Sequence, residues 1–240
     1  DSVKSPLEYY DVNVLGTINL LKIMQKYGVQ KFLFSSSAAI YGEPEYLPID
    51  EIHPLKAINP YGETKLMVEK VLEDLSRSDD RWSIISLRYF NPLGAHEFGF
   101  IGDDPFSKKS QNLLPSIIRA ALGLSSKIKI YGDDYDTKDG TGVRDYIHII
   151  DLANAHLKAL IHLNSNKGIN VFNLGTGRGF SVLEVINTFE KVTGKHVPKQ
   201  ILKKRKGDVS SCYADPSKAN TFLDWETKLD LKEMCLSAWN

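Results

Sequence analysis

Phe34-Ser-Ser-Ser37 and Tyr61-Gly-Glu-Thr-Lys65 are the two runs that decide the predicted fold of this sequence. Tyr61 and Lys65 stand at positions i and i+4, so on a helix their side chains share one face. A phenol has a reference pKa of about 10, and an ammonium group held nearby favours the phenolate and lowers that pKa. The pair is therefore a candidate proton shuttle.

Ser37 completes the pattern, because it follows the apolar run Lys31-Phe-Leu-Phe34. That run predicts a strand, and open α/β sheets place their chemistry at the carboxyl ends of their strands. Ser37, Tyr61 and Lys65 together define a candidate hydroxyl-activating site. Taken alone, the spacing of Tyr61 and Lys65 also describes an exposed pair on a surface helix, which is its commonest meaning.

The composition indicates a globular chain that binds a small ligand. Its 240 residues can bury a substantial core as one large domain or as two interleaved domains. The formal net charge is +0 and no long basic run is present, so neither nucleic acid nor an anionic membrane surface is an expected partner.

The apolar runs, the cysteines and the histidines indicate whether the protein spans a membrane, forms disulfides or binds a metal. No apolar stretch approaches the ~18 residues of a membrane span, and no charged-then-apolar leader opens the sequence. The 2 cysteines are too few for a disulfide framework, so a cytoplasmic location in a reducing cytosol is the simplest interpretation. The 6 histidines form no metal-ligand pattern, and no metal is predicted.

The start of the sequence differs from that of a nicotinamide-binding sheet. Such a sheet opens with a strand, a glycine-rich turn and a helix, and an acidic residue follows about 20 positions later. Here Asp1-Ser-Val-Lys-Ser-Pro6 starts in mid-fold, and helical periodicity is under way by Tyr9. The nearest glycine cluster, Gly175-Thr-Gly177-Arg-Gly179-Phe180, has phenylalanine in place of the third glycine, so it predicts a strand-to-helix turn.

Hydrophobic periodicity and turn residues predict an α/β chain. In its first part we expect a helix over residues 7–27 capped by Gly28, a strand over 31–35 buried on both faces, a long loop over 41–60, a helix from Pro60 capped by Asn59, and a strand over 83–89.

In the second part we expect a helix led by residues 112–115 and ending near 124, a strand over 127–132, a polar loop over 133–140, a helix over 151–163 capped by Asp151, a strand over 170–174, a helix after the capping box of Ser181 and Glu184, a basic loop over 203–208 and two short helices. A change of texture after Pro92 predicts two domains, residues 1–92 and residues 93–240, the second partly interleaved with the first.

Several runs occur in a fixed order along the chain: Pro6-Leu-Glu-Tyr-Tyr10, Phe34-Ser-Ser-Ser37, Pro60-Tyr-Gly62, Leu87-Arg-Tyr-Phe-Asn-Pro92, Gly140-Thr-Gly-Val-Arg-Asp-Tyr-Ile-His148, Asn173-Leu-Gly175 and Gly207-Asp208. Together they resemble the UDP-glucose 4-epimerase family of the extended short-chain dehydrogenase/reductase superfamily, over essentially the whole chain. No single run decides the family, but this order would be very hard to obtain by chance.

The resemblance implies part of a doubly wound, Rossmann-type parallel sheet that binds NAD, with a smaller α/β domain that binds the UDP-sugar. The family oxidises the sugar at C4 with NAD, lets the 4-keto sugar turn about its diphosphate, and returns hydride to the opposite face. By resemblance Tyr61 removes the proton of the 4-hydroxyl group, Lys65 lowers the pKa of Tyr61 and hydrogen-bonds the nicotinamide ribose, and Ser37 bridges the hydroxyl group to the phenol.

The resemblance also assigns binding positions. Beside Ser37, Tyr61 and Lys65, the cofactor positions are Asn13, Ser35 and Phe90. The substrate positions are Asn91, Asn112, Arg144 and Arg205 for the diphosphate, Leu113, Lys129 and Tyr131 for uracil, and Asp208 for the ribose. The family further implies a homodimer whose bundle contains the helices over residues 7–27 and 60–75.

These assignments have structural alternatives. Arg144 could form an ordinary ion pair with Asp145, Phe90 could be a core residue, and residues 203–206 could be a solvated face. His148 is expected to hydrogen-bond within the fold rather than act as a base.

Cys212 matches the position that lies beside the C2 substituent of the sugar in the family. A tyrosine there goes with UDP-hexoses only, whereas a small residue leaves room for an N-acetyl group. The resemblance therefore predicts activity on UDP-glucose and UDP-galactose and on their N-acetyl counterparts. The alternative is a small cysteine used for packing.

Two other functions stay open. A nucleotide-sugar dehydratase or decarboxylase shares the Ser, Tyr and Lys framework, but a dehydratase needs an Asp-Glu pair after the catalytic hydroxyl group, where Ala38-Ala39 stand. A non-catalytic UDP-sugar-binding remnant is the alternative outside enzymes.

The sequence departs from the family pattern at two places. The first strands and the glycine-rich loop are missing, which predicts an inactive fragment that does not hold NAD and whose strand over residues 31–35 has an open edge. In Phe106-Ser-Lys-Lys-Ser-Gln111 the family usually has a glycine-and-proline segment that ends in two asparagines, and Gln111 replaces the first of them.

Overall fold

The computed structural model describes residues 1–104, 106, 112–205 and 207–240. In chain order its elements are α1 (Pro6–Tyr9), a π-helical segment (Tyr10–Leu15), α2 (Gly16–Lys26), β1 (Lys31–Ser35), a 3₁₀ turn (Ala38–Ile40), α3 (Pro60–Ser78), β2 (Ser83–Tyr89), β3 (Asn91–Leu93), α4 (Leu113–Ala121), β4 (Ile128–Tyr131), β5 (Val143–His148), α5 (Ile149–Ser165), β6 (Gly168–Leu174), β7 (Gly179–Ser181), α6 (Val182–Thr193), β8 (Lys199–Leu202), β9 (Ser211–Cys212), α7 (Ser217–Leu223) and α8 (Leu231–Trp239). This alternation confirms the predicted α/β class.

Two compact units share the chain. Unit 1 consists of Asp1–Tyr89, Asn154–Leu174 and Asp215–Trp225, and unit 2 of Phe90–Ala153, Gly175–Ala214 and Glu226–Asn240. The boundary predicted at residue 92 lies close to the end of the first segment. The prediction also made residues 93–240 partly interleaved with the first domain, and within that range residues 154–174 and 215–225 belong to unit 1.

Unit 1 contains a parallel sheet in the order β1, β2, β6. Strand β2 is buried from Ser83 to Arg88, as expected for a central parallel strand. In β1, by contrast, Phe34 is buried and the other residues are half-buried or exposed, so the prediction of burial on both faces is wrong. Among the described strands β1 pairs with β2 alone, which is the open edge that the sequence predicts.

The first helical run of unit 1 is not a single α-helix. α1 passes into the π-helical segment and then into α2 without leaving the right-handed helical region, so the predicted helix over residues 7–27 needs this correction. A π turn has only about one residue more than an α turn, and apolar spacing does not reveal it. Gly28 ends the run with φ +70, the left-handed conformation that glycine adopts readily.

One apolar cluster of the unit 1 core forms where α2 and α3 pack on the sheet. Its buried members are Leu21, Phe34, Val68, Leu72, Trp82 and Ile84. Val68 and Leu72 lie four residues apart on α3, so that helix buries one apolar face. The remaining face of α3 can therefore make polar contacts near the edge of the sheet.

Unit 2 has two smaller sheets. β5 lies between β3, which is parallel to it, and β7, which is antiparallel, and β9 pairs with β5 in parallel at Arg144↔Cys212. β4 and β8 form a separate parallel pair. The core gathers apolar residues of α4, α6 and α8, among them Ile117, Phe189 and Met234, all 0% exposed.

Three local predictions in unit 2 need correction. α4 ends at Ala121 rather than near residue 124. α5 begins at Ile149, so Asp151 lies inside its first turn and is not the cap; its Oδ2 accepts hydrogen bonds from Lys228 N and Leu229 N, both at 2.9 Å. The glycine cluster after β6 leads into the short strand β7 before α6 begins. The capping box of Ser181 and Glu184 is confirmed.

Two sequence predictions fall partly outside the described residues. These are the departure from the family pattern in Phe106-Ser-Lys-Lys-Ser-Gln111, of which only Phe106 is described, and the basic loop, of which Lys206 is not described. None of the helices in the described parts of the chain has the length and apolar character needed to cross a membrane. Within the same parts, no group of three or more His, Cys, Asp and Glu side chains is placed to hold a metal ion.

Candidate active site

The serine run lies at the carboxyl end of β1, where the sequence predicts it. Ser35 is the last residue of the strand. Ser37 is extended, and its Oγ accepts a hydrogen bond of 3.2 Å from Ala39 N, which begins the 3₁₀ turn. A hydroxyl group that accepts in this way still has its own proton to donate.

The start of α3 places Tyr61 beside this turn. Asn59 Oδ1 accepts a hydrogen bond of 3.0 Å from Gly62 N, and Pro60 occupies the first turn, as predicted. A Cβ atom on Gly62 would lie 2.5 Å from Ala39 O. Only glycine therefore allows α3 to approach the turn after Ser37 so closely.

Tyr61, Ser37 and Lys65 come together in unit 1. Ser37 lies near enough to the Tyr61 phenol for its hydroxyl group to lower the pKa of Tyr61. Lys65 Nζ donates to Ser35 O at 2.9 Å and lies 5.7 Å from the centroid of the Tyr61 ring. The three predicted catalytic residues thus form one cluster at the end of β1.

Burial controls the titration of this cluster. It raises the pKa of Tyr61 above its ordinary value of 10.0, while the Ser37 hydroxyl group lowers it and the nearby Tyr89 and Tyr9 raise it. Burial also lowers the pKa of Lys65 from 10.5. The Lys65 ammonium group is bonded to Ser35 O, and burial is the largest cause of the raised Tyr61 pKa, so the lowering of that pKa by Lys65 stays a prediction.

Asn13 is connected to the Tyr61 turn through Thr64. Its Nδ2 donates to Thr64 Oγ1 at 2.9 Å, and Thr64 Oγ1 donates to Tyr61 O at 2.8 Å. The ring of Tyr9 packs edge-on against that of Tyr61, with centroids 6.2 Å apart. Asn13 lies in the π-helical segment, and such segments occur frequently at functional sites.

Unit 2 contains a cavity of about 630 Å³, within the usual range of small-molecule sites. Six predicted substrate residues line it: Leu113, Lys129, Tyr131, Arg144, Arg205 and Asp208. Arg119, Lys127 and Tyr146 also line it and were missed from the sequence. Among the described lining residues five are cationic and one is acidic, so the cavity suits an anion.

The two predicted diphosphate arginines have defined contacts in this cavity. Arg144 forms an ion pair with Asp208, and its Nη1 donates to Val143 O at 2.8 Å. The alternative pair of Arg144 with Asp145 is therefore wrong. The guanidinium carbon of Arg205 lies 3.7 Å from the centroid of the Tyr131 ring, a cation–π contact.

Asp145 and His148 have structural contacts instead. Asp145 is buried and accepts hydrogen bonds from Thr176 N, Thr176 Oγ1, Gly177 N and Ala214 N at 2.7–3.1 Å. His148 Nδ1 accepts from Ile150 N at 3.1 Å, so Nε2 carries the proton and donates to Ser237 Oγ at 3.0 Å. The prediction that His148 hydrogen-bonds within the fold is confirmed.

Besides Ser37 and Tyr61, which are also predicted substrate residues and lie in unit 1, three predicted substrate residues are not among the described residues that line the 630 Å³ cavity. Asn91 is exposed in β3, and Asn112 precedes α4 and lines a second cavity of about 260 Å³. Cys212 is half-buried in β9. Phe90, assigned to the cofactor, is 5% exposed at the start of unit 2.

A buried ion pair in unit 1 was missed from the sequence. Arg88 of β2 and Glu69 of α3 are 4% and 6% exposed and are paired through Nη2 and Oε2 at 2.6 Å. The signal was present, because Arg88 is the one charged residue of the buried strand Ser83–Tyr89. A charge in such a strand requires a buried partner.

Comparison with known proteins agrees with this geometry. The model of the NAD dependent epimerase/dehydratase family matches residues 1–175. The chain is 52% identical over 239 residues to UDP-glucose 4-epimerase of Bacillus subtilis, a match that covers 100% of this chain and 70% of that protein.

Two solved structures superpose closely. The crystal structure of UDP-glucose-4-epimerase from Stenotrophomonas maltophila with bound NAD and formylated UDP-arabinopyranose gives a TM-score of 0.96 at 47% identity, over 99% of this chain and 70% of that chain. The UDP-glucose 4-epimerase from Bifidobacterium longum in complex with NAD+ and UDP gives 0.94 at 48% identity, over 99% and 71%.

The parallel sheet, the cluster of Ser37, Tyr61 and Lys65, and the family match define an NAD-dependent protein of the short-chain dehydrogenase/reductase type with a Rossmann-type sheet. Within this class, the chain belongs to the UDP-glucose 4-epimerase family.

Proposed function

We propose that this chain carries the proton-transfer and UDP-binding residues of an enzyme that interconverts UDP-glucose and UDP-galactose at C4, a reaction of galactose metabolism. The observation that carries the proposal is the cluster of Ser37, Tyr61 and Lys65, in which Ser37 lowers the pKa of Tyr61 and Lys65 Nζ, 5.7 Å from the Tyr61 ring, donates to Ser35 O at 2.9 Å. Membership of the UDP-glucose 4-epimerase family supports the same reaction.

The donors of unit 1 fit NAD. Lys65 has three N–H donors, and Ser35 O accepts one of them, so the others suit the hydroxyl groups of a ribose. We assign Asn13, Ser35 and Phe90 to the cofactor with Ser37, Tyr61 and Lys65. When bound, NAD supplies the acceptor and donor of hydride for the sugar C4.

Tyr61 takes up the proton that the 4-hydroxyl group releases and later returns it to the oxygen. The step requires the phenolate: burial raises the pKa of Tyr61 and opposes phenolate formation, whereas the Ser37 hydroxyl group lowers that pKa and favours it. Ser37 is therefore the relay through which the proton passes between the sugar oxygen and the phenol.

The cavity of unit 2 binds the UDP part of the substrate. Arg144 and Arg205 have planar guanidinium groups that match the oxygens of a diphosphate, and Asp208 can accept a hydrogen bond from a ribose hydroxyl group. Leu113, Lys129 and Tyr131 surround the uracil ring. Asn91 and Asn112 belong to the same proposal, supported by the family match rather than by the lining of the cavity.

The reaction is tested by assaying the product of the complete reading frame for conversion of UDP-galactose. We expect Tyr61→Phe and Ser37→Ala to lower kcat at least about 100-fold, because each removes a proton-transfer group. Tyr27→Phe is the matched control, since its ring is 71% exposed. A Tyr61→Phe enzyme with the wild-type kcat would contradict the assignment.

We also propose activity on UDP-N-acetylglucosamine and UDP-N-acetylgalactosamine. Cys212 supports this, because it is small and lies in register with Arg144 on the strand beside it. Cys212→Tyr in the complete enzyme should remove the N-acetyl activity and leave hexose activity. Retained N-acetyl turnover in that variant would count against the proposal.

The 240 residues alone, by our proposal, neither hold NAD nor turn over, because they contain no glycine-rich pyrophosphate turn. The complete enzyme is proposed to be a cytosolic homodimer. Exposed apolar side chains on the first helical run, with Leu7, Val12 and Ile23 at 81%, 69% and 56%, support an interface there. Sedimentation of the complete protein tests it, and a monomer at all concentrations would exclude it.

A dehydratase is disfavoured by the turn after Ser37. Ala38 and Ala39 begin the 3₁₀ turn, at the place where elimination of water needs an acidic pair. Ser37, Tyr61 and Lys65 are likewise assembled rather than dispersed, which favours an enzyme over a binding remnant.

A further inference from the structure

Ser36, between the two serines of the site, points into the protein. It is 0% exposed, and its Oγ donates to Glu69 Oε1 at 2.5 Å. Its backbone N donates to Leu87 O at 2.9 Å, which continues the pairing of β1 with β2. Ser36 is therefore fixed by main chain and side chain at once.

The carboxylate that receives Ser36 is itself held rigidly. Arg88 Nε donates to both oxygens of Glu69 at 3.1 and 3.2 Å, and Nη2 donates to Oε2 at 2.6 Å. Arg88 Nη1 donates to Tyr41 Oη at 3.0 Å, and Tyr41 Oη donates to Asn173 Oδ1 at 2.7 Å. Glu69 cannot turn without breaking several charge-assisted hydrogen bonds.

The spacing on α3 relates this network to the active site. Tyr61, Lys65 and Glu69 follow one another at intervals of four residues, one helical turn each. Lys65 Nζ donates to Ser35 O, Glu69 accepts from Ser36 Oγ, and Tyr61 lies near Ser37, whose hydroxyl group lowers the pKa of the phenol. Three successive turns of one helix thus hold three successive residues at the end of β1.

A buried ion pair is weak evidence for stability, because desolvation of both charges offsets their attraction, and apolar replacements are often as stable. An apolar pair at these positions would fill the space but would not accept the Ser36 hydroxyl. What the pair adds is a fixed direction for the strand end.

We propose that Ser36, Glu69 and Arg88 are positioning residues that hold the end of β1 in the register at which Ser37 meets Tyr61 and Lys65 meets Ser35 O. The inference rests on the proposed function of Ser37, Tyr61 and Lys65. All three side chains are buried, at 0%, 6% and 4% exposure, and bond to the protein itself.

The test measures the titration of Tyr61 by NMR in the chain labelled with ¹³Cζ-tyrosine, with the signal assigned by its loss in Tyr61→Phe. Ser36→Ala removes the hydroxyl without changing any charge, so Lys65, Tyr9 and Tyr89, which face the phenol, keep their effects. Ser83→Ala is the matched control: Ser83 is 5% exposed in β2 and donates to Leu163 O at 2.7 Å.

We expect the pKa of Tyr61 to rise by at least about half a unit in Ser36→Ala, because the displaced Ser37 hydroxyl group no longer lowers it. Ser83→Ala should leave the Tyr61 titration unchanged while lowering the free energy of unfolding to a similar extent. Ser36→Thr, which keeps the hydroxyl, should restore the wild-type titration. If Ser36→Ala is too unstable to titrate, Ser36→Cys provides the same measurement with a nearly isosteric side chain.

An unchanged Tyr61 pKa in folded Ser36→Ala or Ser36→Cys, or an equal shift in Ser83→Ala, would overturn the proposal. The measurement needs neither sugar nor NAD. Failure of this inference is therefore distinguishable from failure of the proposed function, which would appear as absent turnover in the complete enzyme.

Discussion

Burial acts on both titratable side chains of the candidate catalytic cluster, raising the pKa of Tyr61 and lowering that of Lys65. Both shifts favour the neutral form, because a low-dielectric environment disfavours charge. Sequence spacing places the two side chains on one face of a helix but does not show how deeply each is buried. The direction of the Tyr61 shift was therefore beyond what the sequence could predict.

These shifts predict two opposite dependences of stability on pH. Between its lowered pKa and 10.5, Lys65 has a proton in the unfolded chain that the folded chain lacks, so stability rises with pH in that window. Tyr61 keeps its proton longer in the folded chain, so stability falls as pH rises above 10.0 through the raised pKa. Urea unfolding of Lys65→Met should lack the rise and that of Tyr61→Phe the fall. Wild-type profiles in both variants would refute the shifts.

Arg144 provides a test of the cavity in unit 2. Arg144→Lys keeps the charge but loses the planar fork, so we expect the Kd for UDP, measured by calorimetry, to rise about tenfold. Arg178→Lys is the control, since Arg178 lies over the Phe180 ring at 4.6 Å and is not among the lining residues. An equal rise of the Kd for UDP in both variants would show that Arg144 has no specific role in UDP binding.

Cys235 should be chemically inert in the folded chain. It is 0% exposed, and burial raises the pKa of its thiol to about 12. Ellman's reagent at pH 8 should therefore label Cys212 but not Cys235 until urea is added. In Cys212→Ser no thiol should react before unfolding; a fast reaction there would show that the helix α8 opens.

At the scale of elements, the sequence predicts the longer helices and the strands β1, β2, β4 and β6 to within a few residues, whereas β3, β5, β7, β8 and β9 were not predicted. β1 and β2 have the predicted bounds, because short apolar runs between turn residues leave little choice. The π-helical segment was missed, since its effect on apolar spacing is small. The burial of β1 was overestimated, because burial depends on neighbouring elements and not on the strand alone.

The cap of α3 is the element-scale test. Asn59→Ala removes the acceptor of Gly62 N and should lower the free energy of unfolding by about 1 kcal/mol, measured by urea denaturation. Asn59→Asp retains an acceptor oxygen and should stay close to the wild type. Equal losses in both variants would mean that the side chain does not cap the helix.

At the scale of the molecule, the family was predictable because many short runs kept their order over the whole chain. The lining of the cavity was predictable in part: six substrate positions line it, Arg119 and Lys127 had no motif to reveal them, and Tyr146 was given no role although it lies in the quoted run Gly140-Thr-Gly-Val-Arg-Asp-Tyr-Ile-His148. Their side chains meet the others through the packing of α4, β4 and β5, which is a long-range property. The segments 154–174 and 215–225 joined unit 1 for the same reason.

The purified chain is expected to bind one of the two proposed ligands, UDP, without binding the other, NAD. We expect the purified 240-residue chain to bind UDP through unit 2 but to release no NAD on denaturation, because UDP needs the cavity and NAD needs a pyrophosphate turn. Calorimetry with UDP and absorbance of the denatured supernatant measure the two ligands. A stoichiometric NAD signal would contradict the proposal, as would absent UDP binding.

The ion pair of Glu69 and Arg88 restricts which substitutions these two positions can accept during evolution. Loss of either partner alone strands a desolvated charge, at a cost of about 3–5 kcal/mol, which is a large part of the roughly 5–15 kcal/mol that keeps a domain folded. Viable descendants should therefore change the two positions jointly or not at all. In a library randomised at both codons, survivors are expected to show correlated identities, with lone replacements depleted.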